Sequence, residues 1–429
     1  MTGRWGSFDW RSTEVPREPL AEEQRARLGV PLTLRPVPGT GVVQRPVFDP
    51  ALKQHPHAYR AADPRFADEA VGARWAAARR LAMDLVLAAV AESAWVDFLV
   101  LRGSVLLRTW FGDAAREPGD LDFVVVPQTW RIEEERTTAM LDGIARAAAT
   151  AAGRDPGPVG FDTAAAVSED IWTYDRVPGR RLVLPWTAEG LPGGVVQLDF
   201  VFNERLAVPP EPVLLPRLSG GPGEALLNAA TAELSLAWKI MWLVCDMYPQ
   251  GKDLYDAVLL AEHCELRYQV LRDAFVDGDP EEALRPVRPE TVTGLAATVE
   301  WRHFETEYPH LAGGEDDQVR RLAAALAPTF REAVAADGPG LGRWWLEAWV
   351  EHYRGVLAGG RMRTVQQRMA AAGIPMAAAA VITRELSGPD RCTLDEAYAL
   401  VARDRGRSWA VEHYRRNPGA LESDLSSWA

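Results

Sequence analysis

Two aspartates separated by one residue, Asp120 and Asp122, are the clearest candidates for chemistry in this 429-residue chain. They stand at the start of the apolar run LDFVVVP, which predicts a β-strand. Residues two apart on a strand point to the same face, so the two carboxylates lie side by side. Such neighbours repel each other unless a cation lies between them, and Mg²⁺ bridging to phosphate oxygens is the natural cation. Taken alone, a D-x-D pair is more often a solvated strand edge.

A glycine-serine turn stands upstream of this pair. Residues 95–101 (WVDFLVL) predict a buried strand, and Gly103-Ser104 follows it at the start of a predicted helix, VLLRTWFG. The first N–H groups of a helix have no partner within the helix, and the helix dipole favours an anion there. Gly103 lets the backbone approach a phosphate closely, and Ser104 adds a hydroxyl donor.

A third carboxylate, Asp199, lies inside the apolar run VVQLDFVFN, which also predicts a strand. An acid within such a run is costly unless it is paired or bound to a metal. Three acids that converge at a sheet edge, together with a phosphate-binding turn, are what two-metal phosphoryl transfer needs. The combination therefore favours transfer of a phosphate-containing group, with Asp120, Asp122 and Asp199 as the predicted metal ligands.

These motifs, in this order, resemble those of the nucleotidyltransferase superfamily with a polymerase-β-like palm. The shared pattern is Gly-Ser, a spacer, R-x-x-x-D-L-D at residues 116–122, and a later strand aspartate. Two downstream segments, ELSLAWK (residues 233–239) and KDLYD (residues 252–256), narrow the resemblance to the AbiEii/AbiGii toxin family of type IV toxin–antitoxin and phage-abortive systems. The resemblance covers about residues 75–265.

The resemblance implies a role for each matching residue of the first segments. The Gly-Ser turn matches the part that binds the nucleotide phosphates, the D-x-D pair matches the metal ligands, and the later aspartate takes the place of a third, base-like carboxylate. An arginine stands four residues before the first metal-binding aspartate. The implied site residues of this part are Gly103, Ser104, Arg116, Asp120, Asp122 and Asp199.

The downstream segments carry the remaining predicted site residues. Lys239 matches a lysine expected to neutralise the triphosphate, Asp253 matches the family's essential downstream acid, and Asp256 follows one helical turn later, with Lys252 as an adjacent nucleotide-binding residue. Only three of the 47 basic residues are lysines (the third is Lys53), which favours a specific use of the ammonium group. The alternative for Lys239 is a side chain that packs along its helix and keeps only the ammonium group in water. The alternative for Asp253 is an acid in the first turn of a helix, where it interacts with the helix dipole.

Two positions depart from the family pattern. Pro118 stands where many members have Ser or Thr. Asp246, seven residues after Lys239, stands where many members have a basic residue, which reduces the positive charge expected around the triphosphate. Lys252 or Arg108 could supply that charge.

The predicted elements give an α+β fold class, in which a mixed-sheet nucleotidyltransferase core precedes an all-helical domain. Residues 1–65, rich in proline and arginine, predict an extended N-terminal arm. The core is expected at residues 66–218, a helical domain that completes the active site at 219–340, and a helical C-terminal extension at 341–429. From Ala225 onward the chain is predicted to be helical.

Individual elements follow from hydrophobic periodicity. Besides the segments already described, strands are predicted at residues 171–174, 181–186 and 195–203. Helices are predicted at residues 66–93, 132–152, 233–244 and 252–264.

Composition limits the protein class. The chain carries 60 acidic and 47 basic residues, a net charge of −13, which disfavours a general nucleic-acid coat or a membrane-surface protein. Three scattered cysteines make neither a disulfide framework nor a four-ligand zinc site. The N-terminus lacks the apolar core of a signal peptide, and the most apolar stretch, residues 81–101, contains three acids. We therefore expect a cytoplasmic protein with no membrane partner.

The sequence predicts a Mg²⁺-dependent nucleotidyltransferase that moves a nucleotide from an NTP to an acceptor hydroxyl and releases pyrophosphate. The resemblance implies that the acceptor is the 3′ end of tRNA and that a cognate antitoxin is the partner. Two alternatives remain open, namely transfer to a protein or a small molecule, and a catalytically silent nucleotide-binding protein. The intact set of three aspartates argues against the silent protein.

Overall fold

The computed structural model describes residues 5–9, 11–154, 157–173, 177–278, 282–311, 313–336, 341–406 and 408–426. The chain divides into two compact units. The first comprises residues 1–235 and 302–312, and the second comprises residues 236–301 and 313–429. The first unit is built on a mixed sheet and the described elements of the second are helical, which confirms the predicted α+β class. The four-part division of the chain stays a prediction.

An eight-stranded mixed sheet forms the centre of the first unit. Its strands are β5 (Leu99–Arg102), β6 (Leu121–Val125), β7 (Val159–Phe161), β8 (Val167–Thr173), β9 (Val177–Ala188), β10 (Gly194–Val201), β11 (Glu211–Pro216) and β12 (Glu224–Ala229). The strand order is β11-β12-β5-β6-β10-β9-β7, and β8 also pairs with β9. β12 runs parallel to β5 and β6 runs parallel to β10, whereas the other neighbours are antiparallel.

One face of this sheet is apolar. The helices α2 (Glu69–Ala91) and α4 (Glu135–Arg154) share a buried core with every second residue of the central strands, including Leu101, Phe123 and Phe200. Neighbouring residues of a strand point to opposite faces, so the residues between these positions face away from that core. The polar residues of β5, β6, β9 and β10 therefore gather on the other face. A short helix, α3 (Ser104–Phe111), follows β5 directly.

Most predicted elements are confirmed, and one is wrong. The strand predicted at residues 95–101 begins only at Leu99, because Val96–Phe98 forms a 3₁₀ helix. The four helices listed above occur with ends shifted by one to three residues. The helix expected from Ala225 is instead preceded by strand β12, which pairs with β11 on one side and β5 on the other. β7 and β11 were not predicted, and β8 and β9 extend beyond their predicted bounds. Tyr174, the predicted end of one strand, lies outside the described residues.

The N-terminal arm (residues 1–65) contains regular structure of its own. Its elements are α1 (Glu22–Leu28), β1 (Val42–Val43), β2 (Pro46–Phe48) and β3 (Tyr59–Ala61), with β4 (Arg65–Phe66) at its end. β2 pairs with β3, and β1 pairs with β4. Trp5, Phe8 and Leu34 are buried in a small cluster within the arm. The arm also contacts the large sheet, since Thr33 Oγ1 donates to Glu169 of β8 at 2.7 Å.

The described elements of the second unit are helices. They are α5 (Ala232–Cys245), α6 (Gly251–His263), α7 (Tyr268–Gly278), α8 (Pro289–Thr293), α9 (Trp301–Glu307), α10 (Glu315–Ala325), α11 (Ala327–Ala336), α12 (Leu341–Trp345), α13 (Glu347–Ala358), α14 (Met362–Ala371), α15 (Met376–Ser387), α16 (Leu394–Arg405), α17 (Trp409–Arg416) and α18 (Pro418–Ser426). The first residues of α5 and most of α9 belong to the first unit. Tyr268, Phe275 and Trp345 pack their rings together in its interior. None of the helices in the described part of the chain is long and apolar enough to cross a membrane.

Candidate active site

The three predicted metal ligands lie together on the polar face of the large sheet. Asp122 and Asp199 are directly opposed in the parallel pair β6–β10, and Asp120 immediately precedes β6. One carboxylate oxygen from each residue lies within 4.8 Å of the others. Of the residues that the structure describes, these three form the one group of acidic, histidine or cysteine side chains close enough to share a metal ion. An all-oxygen donor set fits Mg²⁺.

The glycine-serine turn borders this aspartate set. Gly103 has a φ of 84°, and a Cβ atom at this position would lie 2.3 Å from Asp122 Oδ2. Only glycine fits, both for its conformation and for the close approach of the carboxylate. Ser104 is 1% exposed, and its Oγ atom makes no hydrogen bond within the protein. A buried hydroxyl without a partner costs stability, so an unpaired Oγ at the first residue of α3 is suited to a ligand oxygen.

The aspartates belong to a charged row that crosses five strands. Strand register places Arg102 of β5 opposite Asp122, and Asp122 opposite Asp199. The row continues from Asp199 to Arg181 of β9, and from Arg181 to Glu169 of β8. The two aspartates are therefore flanked by an arginine on each side. The aspartates were predicted from sequence, whereas the two arginines were not.

Arg181 holds Asp199 with a two-bond fork. Its Nε and Nη2 atoms each donate to one Asp199 oxygen at 2.8 Å, and its Nη1 atom donates to Asp49 Oδ2 of the arm at 2.6 Å. Burial alone would lower the pKa of Arg181, but Asp199 and Asp49 outweigh it and raise that pKa well above its usual value. Burial raises the pKa of Asp199, helped by the nearby charges of Asp120 and Asp49 and opposed by Arg181.

Arg102 has its own buried partner. Its Nη1 atom donates to Glu204 Oε2 at 2.7 Å, and both side chains are buried. Burial raises the pKa of Glu204, although Arg102 acts in the opposite direction. Neither residue was predicted from sequence. The signal that could have found Arg102 and Arg181 is the one that found Asp199, namely a charged residue within an apolar strand.

Two further arginines of the first unit are Arg116 and Arg60. Arg116, a predicted nucleotide-binding residue, is 7% exposed. It lies close enough to Tyr308 to oppose the rise in the pKa of that phenol, which burial causes. Burial lowers the pKa of Arg60, but Glu307, Asp49 and Asp120 together raise it above its usual value. Arg60 of the arm therefore lies within electrostatic range of a metal-ligand candidate.

Asp246, which departs from the family pattern, and Arg108, which was suggested to compensate for it, each hydrogen-bond to nearby residues of the chain. Arg108, suggested as a source of compensating charge, donates to the Gly112 carbonyl at 2.9 Å and to Asp113 Oδ1 at 2.7 Å. Asp246 Oδ1 accepts from the Tyr248 backbone N–H at 3.0 Å.

The downstream predicted residues gather in the second unit. Lys239 Nζ lies 2.6 Å from Asp253 Oδ1 and 2.9 Å from Asp256 Oδ2. Lys239 is 5% exposed and Asp256 is fully buried. Asp253 and Asp256 stand one turn apart in α6 and reach the same lysine of α5, while Lys252 is half-buried beside them. The structure therefore brings together Lys239, Asp253 and Asp256 as one cluster and Asp120, Asp122 and Asp199 as another.

Carboxylates on neighbouring strands of a mixed sheet, next to a glycine-serine turn with an unpaired hydroxyl, are the arrangement expected of a nucleotidyltransferase. The model of one family, described as the nucleotidyl transferase AbiEii toxin of a type IV toxin–antitoxin system, matches residues 85–336, more than half of the chain. The chain belongs to this family of nucleotidyltransferase toxins. The resemblance deduced from its motifs is thereby confirmed.

Two solved structures are similar to this chain. MenT4, a nucleotidyltransferase toxin from Mycobacterium tuberculosis H37Rv, has 20% sequence identity and a TM-score of 0.35, over 60% of this chain and 90% of that chain. A putative nucleotidyltransferase from H. pylori has 12% identity and a TM-score of 0.34, over 58% of this chain and 92% of that chain. Comparison with curated proteins gives no significant match.

Proposed function

We propose that this toxin is a Mg²⁺-dependent enzyme that transfers a nucleotide from an NTP to the 3′ end of tRNA in the cytoplasm, and that a cognate antitoxin restrains it. The observation that carries the proposal is the aspartate set. One carboxylate oxygen from each of Asp120, Asp122 and Asp199 lies within 4.8 Å of the others, and Gly103 of the adjoining turn lies against Asp122. Three carboxylates at this separation repel one another strongly unless a cation joins them.

The proposed division of roles follows from the contacts. Asp120, Asp122 and Asp199 would hold Mg²⁺, which when bound neutralises the phosphate charges and makes the acceptor hydroxyl more acidic. The backbone at Gly103 and the hydroxyl of Ser104 would bind the phosphates at the start of α3, where the helix dipole favours an anion. Arg116 would add positive charge in the same unit.

Asp199 is proposed as the proton acceptor. The acceptor oxygen forms a bond to the α-phosphorus of the NTP, the bond from that phosphorus to the bridging oxygen breaks, and pyrophosphate leaves with the bonding electrons. The hydroxyl proton passes to Asp199. The family resemblance implies this base-like role, and strand register places Asp199 directly opposite Asp122 in the set.

The second-unit cluster is proposed to recognise the triphosphate. Lys239 would supply positive charge to the phosphates, and Lys252 would add to it. Asp253 and Asp256 fix the position of the Lys239 ammonium, which lies within 3 Å of both carboxylates. A lysine held by two helical acids has little rotamer freedom to lose when it binds a phosphate.

The test is transfer of radiolabel. Purified protein is incubated with Mg²⁺, each α-³²P NTP in turn, and total tRNA, beside an Asp120→Asn variant. We expect labelled tRNA with the unaltered protein and a loss of about a hundredfold or more with the variant, because a metal ligand loses its charge. Asp113→Asn is the matched control, since Asp113 is a fully exposed acid whose hydrogen-bond partner is Arg108.

The acceptor is tested in the same reactions. The second candidate for the acceptor is a hydroxyl on a protein or a small molecule. The net charge of −13 favours it, because an acidic protein repels a polyanion such as tRNA. Label on the protein itself, or pyrophosphate release only when small metabolites are added, would replace tRNA as the acceptor. Equal labelling by the Asp120→Asn variant and the unaltered protein would contradict the proposed site.

A further inference from the structure

We propose that the N-terminal arm takes part in the active site. In this assignment Asp49 of the arm positions Arg181, and Arg181 holds Asp199, the third carboxylate of the set. The inference rests on the proposed function, because it concerns the cation site formed by the three aspartates. The family match begins at residue 85, so the arm supplies this contact from outside the matched residues.

The contact chain is short and well aligned. Arg181 Nε and Nη2 reach the two oxygens of Asp199 at 2.8 Å each, which fixes the plane of that carboxylate. Arg181 Nη1 reaches Asp49 Oδ2 at 2.6 Å. All three side chains are buried, with Arg181 at 3% exposure, so water screens these interactions little.

Local structure of the arm fixes Asp49 in turn. Asp49 caps a short 3₁₀ helix, Pro50–Leu52, and its Oδ1 atom accepts from the Ala51 backbone N–H at 3.1 Å. Its own backbone N–H donates to the Ala58 carbonyl at 2.8 Å. Leu52 and Ala58 are buried against Ile171 of β8. These contacts hold the Asp49 backbone and its Oδ1 atom in place, while its Oδ2 atom accepts from Arg181.

Charge balance explains why the arm matters to a cation. If Arg181 were paired with Asp199 alone, its positive charge would neutralise that carboxylate and repel a metal ion that binds there. The carboxylate of Asp49 balances part of the Arg181 charge. Asp199 is then still oriented by its two hydrogen bonds to Arg181, and it keeps the negative charge that binds a metal ion. Without Asp49, the excess positive charge of Arg181 would weaken the cation site. Asp49 and Arg181 are thus positioning residues, since neither reaches the reacting atoms directly.

The test compares Asp49→Asn with Gln54→Ala in the full-length protein. Gln54 makes an exposed hydrogen bond from the arm to the Asp170 carbonyl, so its loss loosens the arm without touching the charged row. Calorimetric titration with Mn²⁺ alone measures cation affinity, and melting in EDTA shows that both variants fold. We expect Asp49→Asn to lower Mn²⁺ affinity about tenfold or more, as loss of a partner behind a metal ligand does. Gln54→Ala should bind Mn²⁺ normally.

Kinetics separate positioning from a structural role. We expect Asp49→Asn to lower kcat and to raise the Mg²⁺ concentration that gives half-maximal rate. The KM for NTP should change less than about twofold, because the turn at Gly103 and Ser104 is untouched. Mn²⁺ affinity and kcat that match those of the Gln54→Ala variant would overturn the proposal.

A second variant covers a failure of Asp49→Asn to fold. Arg181→Lys keeps the positive charge but lacks the planar fork. We expect it to lose Mn²⁺ affinity as well, and normal affinity would overturn the positioning role. Absence of Mn²⁺ binding by the unaltered protein is a different result, since it would overturn the cation site of the proposed function and this inference with it.

Discussion

The Lys239 ammonium combines a proposed catalytic role with a structural one. It lies between Asp253 and Asp256, and Asp256 has no exposed surface. Lys239→Met would leave a buried carboxylate without its cation. We expect this change to lower the free energy of unfolding by about 3 kcal/mol, the usual cost of removing one partner of a buried ion pair. Urea denaturation measures the change.

Two further variants show whether burial is the cause. Arg354 pairs with Glu351 on an exposed helix surface, so Arg354→Met should cost less than about 0.5 kcal/mol. Adding Asp256→Asn to Lys239→Met should recover part of the lost stability, because it removes the buried negative charge that Lys239 balances. If the single Lys239 variant is as stable as the unaltered protein, the cluster does not support the fold.

The aspartates of the set could be located from sequence because each carries a local signal. Asp122 and Asp199 are acids within apolar strands, and Gly103 lies in a turn between a strand and a helix. Arg181 is also a charged residue within an apolar strand, but nothing in the sequence pairs it with Asp49. They are separated by 132 residues, and only the folded arm brings them together. Contacts of this kind depend on tertiary packing, which residue spacing does not encode.

Strand β12 shows how tertiary pairing overrides local preference. Its residues, EALLNA, are mostly good helix formers, so a helix was predicted to begin at Ala225. In the sheet they lie between two partner strands, and their burial alternates as a strand requires. The amphipathic helices α4 and α6 were predicted correctly, since in these segments periodicity and propensity agree.

Two adjacent leucines of β12 allow the strand assignment of this segment to be tested. Leu227 is 1% exposed and belongs to the core, whereas Leu226 is 55% exposed. We expect Leu227→Ala to lower the free energy of unfolding by about 3 kcal/mol, the usual cost of a core truncation. Leu226→Ala, the same change on the opposite face, should cost less than about 1 kcal/mol. Urea denaturation compares them, and equal losses would contradict the strand assignment.

At the scale of the molecule, the charge of −13 and the aspartate set both predict a response to divalent cations. Binding to the folded state alone stabilises it, by about 2.7 kcal/mol when the ion is at a hundred times its dissociation constant. We therefore expect Mg²⁺ to raise the melting temperature and EDTA to reverse the rise. Asp122→Asn should abolish the response, because it removes one of three ligands.

General screening of the acidic surface is the alternative cause of such a response. Measurements at matched ionic strength with NaCl separate the two, since screening depends on salt and not on one carboxylate. Asp113→Asn removes one exposed acid and should leave the Mg²⁺ response intact. A response of equal size in the Asp122 and Asp113 variants would assign it to screening.

The close approach of Gly103 to Asp122 has a consequence for the gene. A toxin gene without its antitoxin gives a growth advantage to cells that carry broken copies, and every missense change of a glycine codon adds a side chain. At Gly103 the first added carbon lies 2.3 Å from a carboxylate oxygen, whereas at Gly190 and Gly373, which also have positive φ, nothing lies within 4 Å. Sequenced survivors should therefore carry missense mutations at Gly103 far more often than at Gly190 or Gly373.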